Sequence, residues 1–231
     1  LTFSRQYPSG VQKNKTSHFL LKKCEFGDYH ELSIIKKFSK NKKILFIDCG
    51  CNYGFYSFYT ASLSKKNKIL AIEASVKTLN EFKKNLKLNN FKNINFFNYA
   101  ISNSISENIL FKESINDWES SQVHDNFEHF SESKVKTITI DSLLKDYSLD
   151  NYFVTIKLDI EGNEINAIKG ALEAIKKSDP LIIIEFSKFI FDNLENIEYL
   201  KNFLIEYDYC IFDTNYNKKN LNNILDMLKK L

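Results

Sequence analysis

The feature that most constrains the fold of this chain is the alternation of short, strongly apolar segments with longer amphipathic ones. Seven segments have the composition of β-strands: KKILFIDCG, KILAIEAS, INFFNYAIS, VKTITID, YFVTIKLDI, PLIIIEFS and YCIFDT. Most of the segments between them carry apolar residues at helical spacing. Strands that are apolar on both faces need helices on both sides of their sheet. We therefore predict an α/β fold with a mainly parallel, seven-stranded sheet and helices on both faces.

The domain organisation follows from where this alternation begins. It starts near residue 28 and continues through the 231-residue chain, a length that one hydrophobic core can serve. Residues 1–27 are polar and mixed, and we interpret them as an N-terminal extension ahead of one domain, residues 28–231. Residues 102–136 are rich in Ser, Asn and Glu. We predict that they are a small insertion after the third strand, either a β-hairpin or a loop-rich excursion.

The predicted insertion carries two groups of residues that bear on function. Its aromatic side chains either form a lid over a substrate or pack as a small satellite core: Trp118, Phe127 and Phe130. The segment HDNFEHF brings together four potential metal ligands: His124, Asp125, Glu128 and His129. Their spacing matches no standard zinc pattern, so no metal site is predicted there.

Charge and cysteine usage exclude several classes of protein. The net charge of +3 arises from 32 basic and 29 acidic residues, and the lysines form short clusters at helix ends. A nucleic-acid-binding protein usually concentrates its basic charge in one stripe, so no nucleic-acid partner is expected. No apolar run approaches the roughly 20 residues of a membrane span. The four cysteines form no disulfide framework, which is typical of reduced thiols in a cytoplasmic protein.

The segment DCGCNYG, at the end of the first predicted strand, has features of a ligand-binding loop. Gly50 and Gly54 permit a tight turn and a close approach of the backbone to a ligand or a neighbouring strand. A dinucleotide-binding loop would need G-x-G-x-x-G, whereas here Asn52 stands where the second glycine would be. Asp48, two residues before the turn, would repel a diphosphate and attract a cation. The alternative is a tight strand–helix turn without a ligand.

The end of the second predicted strand favours a ligand. Glu73 lies 25 residues after Asp48, at the place where an acid commonly holds ribose hydroxyls. The alternative is an exposed glutamate at a strand tip. Two acids at the tips of adjacent strands favour a nucleoside without phosphates that carries positive charge. S-Adenosylmethionine has this chemistry.

These segments together resemble a known family. In order along the chain they are FIDCGCNYGFYS, AIEAS, NYAISNS, VKTITIDSLL, IKLDIEGNEINAIKGA and PLIIIEFS. They resemble the FkbM-type methyltransferases, a branch of the Rossmann-like class I S-adenosylmethionine-dependent fold. The resemblance covers about residues 28 to 212, and IKLDIEGNE is its most specific part. It implies O-methylation of a hydroxyl on a sugar, a polysaccharide or a small metabolite.

The resemblance also implies roles for individual residues. The cofactor loop would contain Asp48, Gly50, Cys51, Asn52 and Gly54, with Cys51 where the family usually has alanine. Glu73, with Ala74 beside it, would bind the ribose. Ala100 and Ile101 would border the adenine, and Glu31 would supply an acid near the methionine end of the cofactor.

The segment KLDIEGNE places three carboxylates around one glycine. Asp159 and Glu161 are two residues apart at a strand end, so their side chains point to the same side. Such crowding raises the pKa of one carboxylate and prepares it as a general base. We predict that Asp159, or else Glu161, accepts the proton of the acceptor hydroxyl or fixes that hydroxyl; either could instead hold the ammonium of the cofactor. Lys157 could pair with Asp159, and Glu164 is expected to cap a helix.

A further acid at a strand end, and the acids as a group, bear on the acceptor site and on two alternative classes of protein. Glu185 ends another strand and is a candidate for the wall of the acceptor pocket, and the group of acids could hold a divalent ion. A non-catalytic scaffold with the same fold would not need acids at three strand tips. A nicotinamide-dependent oxidoreductase is disfavoured by the missing middle glycine. The expected partner is a small-molecule or carbohydrate hydroxyl acceptor; the sequence predicts no oligomeric state.

Overall fold

The computed structural model describes residues 29–114, 120–121, 130–185, 193–213 and 217–222. The helices are α1 (Tyr29–Phe38), α2 (Phe55–Leu63), α3 (Val76–Asn89), α4 (Ile140–Leu144), α5 (Glu164–Lys169), α6 (Leu172–Ser178) and α7 (Leu194–Glu206). The longer strands are β1 (Ile44–Cys49), β2 (Lys68–Ile72), β3 (Ile94–Phe97), β5 (Ser106–Ser114), β7 (Phe130–Ile138), β8 (Phe153–Leu158) and β9 (Leu181–Ile184). The two-residue strands are β4 (Ala100–Ile101), β6 (Ser120–Ser121), β10 (Ile211–Phe212) and β11 (Lys218–Lys219).

The central sheet is parallel, with strand order β3-β2-β1-β8-β9. The chain moves outward from β1 to β3 and then returns to the other side of β1 with β8. The strand order therefore reverses between β1 and β8, and ligands of open α/β sheets bind outside the carboxyl ends of the strands at such a point. Cys49 pairs with Ile72 on one side and with Leu158 on the other, so these three strands end at the same level.

The prediction of an α/β fold with a parallel sheet is confirmed, but a sheet of seven strands is not. The central sheet has five strands within the described residues. VKTITID lies in β7, which joins a second sheet of order β4-β7-β5-β6, and YCIFDT contributes only β10, which pairs antiparallel with β11. The burial pattern gives the reason. Every residue of β1 is buried, whereas buried and exposed residues alternate around Val135, as suits an antiparallel strand with one covered face.

The predicted insertion, residues 102–136, contains β5 and most of β7. These two strands pair antiparallel, from Ser106 opposite Thr137 to Ser114 opposite Phe130. A hairpin-like pairing is therefore present, while the boundaries of the insertion stay a prediction. The four candidate metal ligands of HDNFEHF, together with Trp118 and Phe127, lie outside the described residues.

Both faces of the central sheet are covered by helices. On β1, Leu45 and Ile47 point into one apolar cluster, which includes residues of α4, α5, α6 and α7. Ile44 and Phe46 point to the opposite side, into a second cluster with residues of α1, α2 and α3. The alternation of side chains along a strand produces this division. Along the described ranges, no helix has both the length and the apolar character needed to cross a bilayer.

The segment NEINAIKGALEAIKKSD forms two helices, α5 and α6. The break lies at Gly170, where an added Cβ would stand 2.3 Å from the carbonyl oxygen of Ser102. The carbonyl of Gly170 accepts a hydrogen bond from the amide of Asp141 at 2.9 Å. The carboxylate of Asp141 in turn accepts from the amides of Glu173 and Ala174 and so caps α6. The contacts at this break hold the two helices against the ends of β4 and β7.

Gly54, at the start of α2, is expected to tolerate no side chain. Its φ is +95°, and an added Cβ would lie 2.6 Å from the Phe58 ring and 2.8 Å from the Phe82 ring, both fully buried. Left-handed strain and overpacking together predict that Gly54→Ala lowers the free energy of unfolding by roughly 2–4 kcal/mol. Urea denaturation followed by circular dichroism measures this change. Asn90→Ala is the control, because Asn90 is also left-handed (φ +54°) but exposed; equal losses in the two variants would contradict the clash.

Candidate functional site

A cleft opens at the carboxyl edge of the central sheet, at the point where the strand order reverses. Its walls come from the loops after β1, β2 and β8 and from β4 and β5. The lining residues are Gly50, Asn52, Ile72, Glu73, Ala74, Thr78, Tyr99, Ala100, Ile101, Phe111, Asp159, Ile160, Glu161 and Asn163. The cleft thus brings together residues from four separate predicted motifs.

The loop between β1 and α2 has an unusual backbone that shapes one wall. Gly50 and Asn52 both have positive φ, +76° and +48°. The amides of Gly50 and Cys51 both donate to the carbonyl of Ile72, at 2.9 Å each. Gly50 also lies directly against the backbone of Asp159, since an added Cβ would stand 1.9 Å from that carbonyl oxygen. The buried Oδ1 of Asn52 has no hydrogen-bond partner among the described residues, so this wall offers an unused acceptor.

Glu73 ties two of the loops together. Its Oε2 accepts a hydrogen bond from the amide of Asn52 at 3.1 Å, and its Oε1 accepts from the amide of Ser75 at 2.9 Å. Only 9% of the residue is exposed, and that surface faces the cleft. Each carboxylate oxygen can accept two hydrogen bonds, so the group can also bind hydroxyls of a ligand.

Two asparagines fix the opposite wall. Asn98 Nδ2 donates to the carbonyls of Glu73 and Ala74 at 2.9 and 2.8 Å. Asn163 Nδ2 donates to the carbonyl of Ile101 at 2.7 Å. The first contact holds the chain after β3 against the end of β2, and the second holds the end of β4 against the start of α5. The apolar part of the cleft, around Ile101, is therefore rigidly positioned.

A buried cation lies beneath the cleft. Lys157 is 4% exposed, and its Nζ lies 2.7 Å from Oδ2 of Asp159, 3.9 Å from Oδ1 of Asp48 and 4.6 Å from the centre of the Tyr56 ring. The predicted pairing of Lys157 with Asp159 is confirmed. Burial alone would lower the pKa of Lys157, but the charges of Asp159 and Asp48 outweigh it and raise that pKa.

Asp48 is fully buried, so its side chain does not line the cleft. Its Oδ2 accepts a hydrogen bond from Ser57 Oγ at 2.6 Å. Burial raises the pKa of Asp48, and the charge of Lys157 opposes that rise. The cation beside Asp48 in this structure is therefore a lysine of the chain itself.

Three carboxylates meet at the mouth of the cleft, and they are not equivalent. Oxygen atoms of Asp159, Glu161 and Glu185 lie within 4.8 Å of one another. Burial works to raise the pKa of Asp159, but the charge of Lys157 and hydrogen bonds from Glu185 and Lys157 lower it overall. A hydrogen bond with Asp159, burial and the charges of Asp159 and Glu161 raise the pKa of Glu185 to about 8. The raised pKa expected from crowding is therefore found on Glu185, whereas that of Asp159 is lowered.

This group of acids does not by itself identify a metal site. Carboxylates at such spacing can bridge a divalent cation. Here the ammonium of Lys157 already neutralises Asp159, and Glu185 forms a hydrogen bond with Asp159. The three carboxylates therefore need no metal ion to offset their charge.

The prediction that Glu164 caps a helix is wrong: no side chain of the described residues caps the start of α5, and the Glu164 carboxylate binds the loop ahead of that helix instead. Glu164 is 1% exposed, and its Oε1 accepts hydrogen bonds from the amides of Ile160 and Gly162 at 3.0 and 3.2 Å. Burial raises the pKa of Glu164, and these backbone hydrogen bonds oppose the rise. The bonds hold a loop in which Glu161 has the left-handed φ of +54°. Glu164 therefore fixes the loop that carries Glu161 to the mouth of the cleft.

Comparison with known proteins assigns the chain to a family. The model of the methyltransferase FkbM domain matches residues 48–211, which is most of the chain. The chain belongs to the FkbM methyltransferase family. No protein with a curated functional description matches it significantly.

Solved structures with a similar chain path are distant from this FkbM-family protein. A precorrin-6y C5,15-methyltransferase from Geobacter metallireducens GS-15 is 13% identical, with 93% of each chain covered and a TM-score of 0.47. An rRNA methylase from Streptococcus thermophilus is 14% identical, with 83% of each chain covered and a TM-score of 0.38. A SAM dependent methyltransferase from Aquifex aeolicus is 14% identical, with 88% of this chain and 95% of the other covered and a TM-score of 0.37.

The cleft of the FkbM-family protein contains most, but not all, of the residues that sequence reasoning selected. Glu31 lies in the first turn of α1, and neither it, Asp48, Cys51 nor Gly54 is among the lining residues described. The Cys51 thiol is buried, and burial followed by the charge of Asp48 raises its pKa, so it stays protonated. The lining residues that sequence reasoning missed are Ile72, Thr78, Tyr99, Phe111, Ile160 and Asn163. Most are adjacent to a selected motif, but Phe111 comes from β5 and has no local signal.

Proposed function

We propose that this FkbM-family methyltransferase binds S-adenosylmethionine in the cleft and transfers its methyl group to a hydroxyl of a sugar, a polysaccharide or a small metabolite. The observation that carries the proposal is the position of Glu73. Its carboxylate accepts hydrogen bonds from the amides of Asn52 and Ser75 and lines the cleft, which puts it in position to bind a ribose diol. Tyr99, Ala100 and Ile101 supply an apolar surface for an adenine beside it.

The charge of the cleft supports a cofactor without phosphates. The described lining contains the carboxylates of Glu73, Asp159 and Glu161 and no Lys or Arg side chain. With Lys157 paired to Asp159, the lining still carries a net negative charge, which would repel the pyrophosphate of a nicotinamide dinucleotide and attract an ammonium or a sulfonium. The unpartnered Oδ1 of Asn52 is a further acceptor for a cationic or hydroxylic ligand.

The carboxylates at the mouth are proposed to serve the acceptor. S-Adenosylmethionine supplies an electrophilic methyl group when it is bound. Asp159 is 36% exposed on its side chain and is kept anionic by Lys157, so it can accept a hydrogen bond from an incoming hydroxyl. Glu161, on the loop fixed by Glu164, can contact a neighbouring hydroxyl. Holding the acceptor oxygen in line with the methyl group accounts for a large share of catalysis in such a reaction.

Titration calorimetry with S-adenosylhomocysteine tests the proposal. Wild-type protein is expected to bind, and Glu73→Gln is expected to bind about tenfold to a hundredfold more weakly, because a charge-assisted hydrogen bond is lost. Glu173→Gln, an exposed change on α6, should bind like the wild type. NAD should bind to none of them. Folded wild-type protein that does not bind S-adenosylhomocysteine would overturn the proposal and favour the non-catalytic scaffold.

A further inference from the structure

The ends of β8 and β9 place Asp159 and Glu185 side by side. The two strands are parallel, and their register runs from Thr155 opposite Leu181 to Leu158 opposite Ile184. The amide of Glu185 donates to the carbonyl of Leu158 at 3.0 Å and so continues the ladder by one step. Asp159 and Glu185 therefore occupy the next registered pair, where side chains of adjacent strands lie next to each other.

The charges around this pair are unequal. Lys157 lies two residues before Asp159 on the same face of β8 and forms an ion pair with it at 2.7 Å. Within the described part of the chain, the charged groups that act on Glu185 are Asp159 and Glu161, both anionic, and Lys157. Since the ammonium is engaged with Asp159, two anions oppose the ionisation of Glu185. A neutral Glu185 that donates a hydrogen bond to anionic Asp159 satisfies the geometry of all three groups.

We propose that Asp159 and Glu185 share one proton and act as a single proton-accepting pair, in which Glu185 holds the proton that the acceptor hydroxyl releases. The catalytic part of this inference rests on the proposed function. An O–CH₃ bond forms while the S–CH₃ bond of the sulfonium breaks and the sulfonium becomes a neutral thioether. The step starts with both carboxyls of the pair ionised: the hydroxyl proton passes to Asp159 and from there to Glu185, which leaves the pair with its one shared proton. Glu185 is exposed, so it returns the proton to water.

The proton affinity of the pair suits this role. Once ionised, a carboxyl whose pKa is about 8 is a stronger base than Asp159 alone, whose pKa is lowered. The proton-accepting form of Glu185 is the ionised one. Its population therefore increases as the pH rises through about 8.

Carbon-13 NMR of protein labelled at the glutamate side-chain carboxyls tests the pair without any acceptor. We expect one resonance to titrate near pH 8 in the wild type and to be missing from Glu185→Gln. In Asp159→Asn that resonance should titrate at least one pH unit lower, because the anionic neighbour is gone. Glu173→Gln is the matched control and should keep the resonance at its wild-type pH. A Glu185 carboxyl that titrates near pH 4–5, or one that Asp159→Asn does not move, would overturn the inference.

Titration calorimetry with S-adenosylhomocysteine on the same samples separates this inference from the proposed function. Binding together with a Glu185 carboxyl that titrates near pH 4–5 would leave the cofactor site intact and overturn the pair. Titration near pH 8 without binding would support the shared proton and overturn its catalytic role. Glu185→Gln should still bind S-adenosylhomocysteine, because Glu185 is not among the residues that line the cleft; this binding also verifies that the variant is folded.

Discussion

Replacing Lys157 by methionine is expected to lower the free energy of unfolding by roughly 3–5 kcal/mol, the usual cost of removing one partner from a buried charge pair. Methionine keeps much of the volume of lysine, so the loss comes mainly from charge. Asp48 is 0% exposed, its Oδ2 is bonded to Ser57, and its Oδ1 has no hydrogen-bond partner in the part of the chain that the structure describes. Without the ammonium 3.9 Å away, this carboxylate would be buried beside the negative charge of Asp159.

The pH dependence of this loss has a definite sign. Burial already raises the pKa of Asp48 above its unfolded value, and removing Lys157 raises it further. An acid with a raised pKa contributes stability below its unfolded pKa, and this contribution is lost as the pH rises. The destabilisation of Lys157→Met should therefore be larger at pH 8 than at pH 5, as measured by urea unfolding at both values.

Two further variants identify the cause of the Lys157 effect. In the double variant Asp48→Asn/Lys157→Met the buried charge is gone and Ser57 still has an acceptor, so at least half of the lost stability should return. Lys176→Met removes a half-exposed lysine that lies 3.9 Å from Glu173 and should change stability by less than about 0.5 kcal/mol. If the double variant is no more stable than Lys157→Met, packing of the lysine stem rather than charge explains the loss.

Gly50→Ala is expected to abolish binding of S-adenosylhomocysteine and to lower the free energy of unfolding by roughly 2–5 kcal/mol. The new methyl group would stand 1.9 Å from the carbonyl oxygen of Asp159, and backbone cannot move aside as a flexible side chain can. Relief requires that the ends of β1 and β8 separate. Gly50 would then lose its 2.9 Å hydrogen bond to Ile72, and the cleft wall would shift with it.

Asn41→Ala is the control for the conformational part of this effect. Asn41 has φ of +64°, close to that of Gly50, but lies in an exposed turn away from the cleft. Its replacement should cost about 1 kcal/mol and leave binding unchanged. Calorimetry and urea unfolding on both variants distinguish the effect of left-handed backbone strain from that of the steric clash with Asp159. Normal binding by Gly50→Ala would show that the loop can rearrange and that the close approach to Asp159 is unnecessary.

The sequence predicted the location of the cleft because ligands of parallel α/β sheets bind at the carboxyl ends of the strands. The carboxyl ends of parallel strands lie at one edge, so Gly50, Glu73 and Asp159, each at the end of a predicted strand, had to be close together. Glu73 could be selected because its distance from Asp48 along the chain matches the length of one strand–helix–strand unit.

The partners of these residues could not be predicted, because they depend on which strands are neighbours. Asp48 was expected to attract a cationic ligand. Its cation is Lys157, which stands opposite it in the register of β1 and β8. Glu185 meets Asp159 through the register of β8 and β9 in the same way. Phe111 reaches the cleft from β5, and the strand that pairs with β5 is β7, which lies further along the chain. No local sequence pattern therefore indicates that Phe111 lines the cleft.

The contacts of Glu164 have a consequence for how the protein would be adapted to another acceptor. Because the Glu164 carboxylate is bonded to the amides of Ile160 and Gly162, the loop between Asp159 and Glu164 acquires its shape during folding. The conformational entropy of this loop is thus lost before any ligand arrives, and binding an acceptor there involves little further ordering. Such preorganisation favours a fixed set of hydroxyl geometries. Engineering of acceptor choice should therefore leave Glu164 and Gly162 intact and vary the side chains at positions 160 and 161.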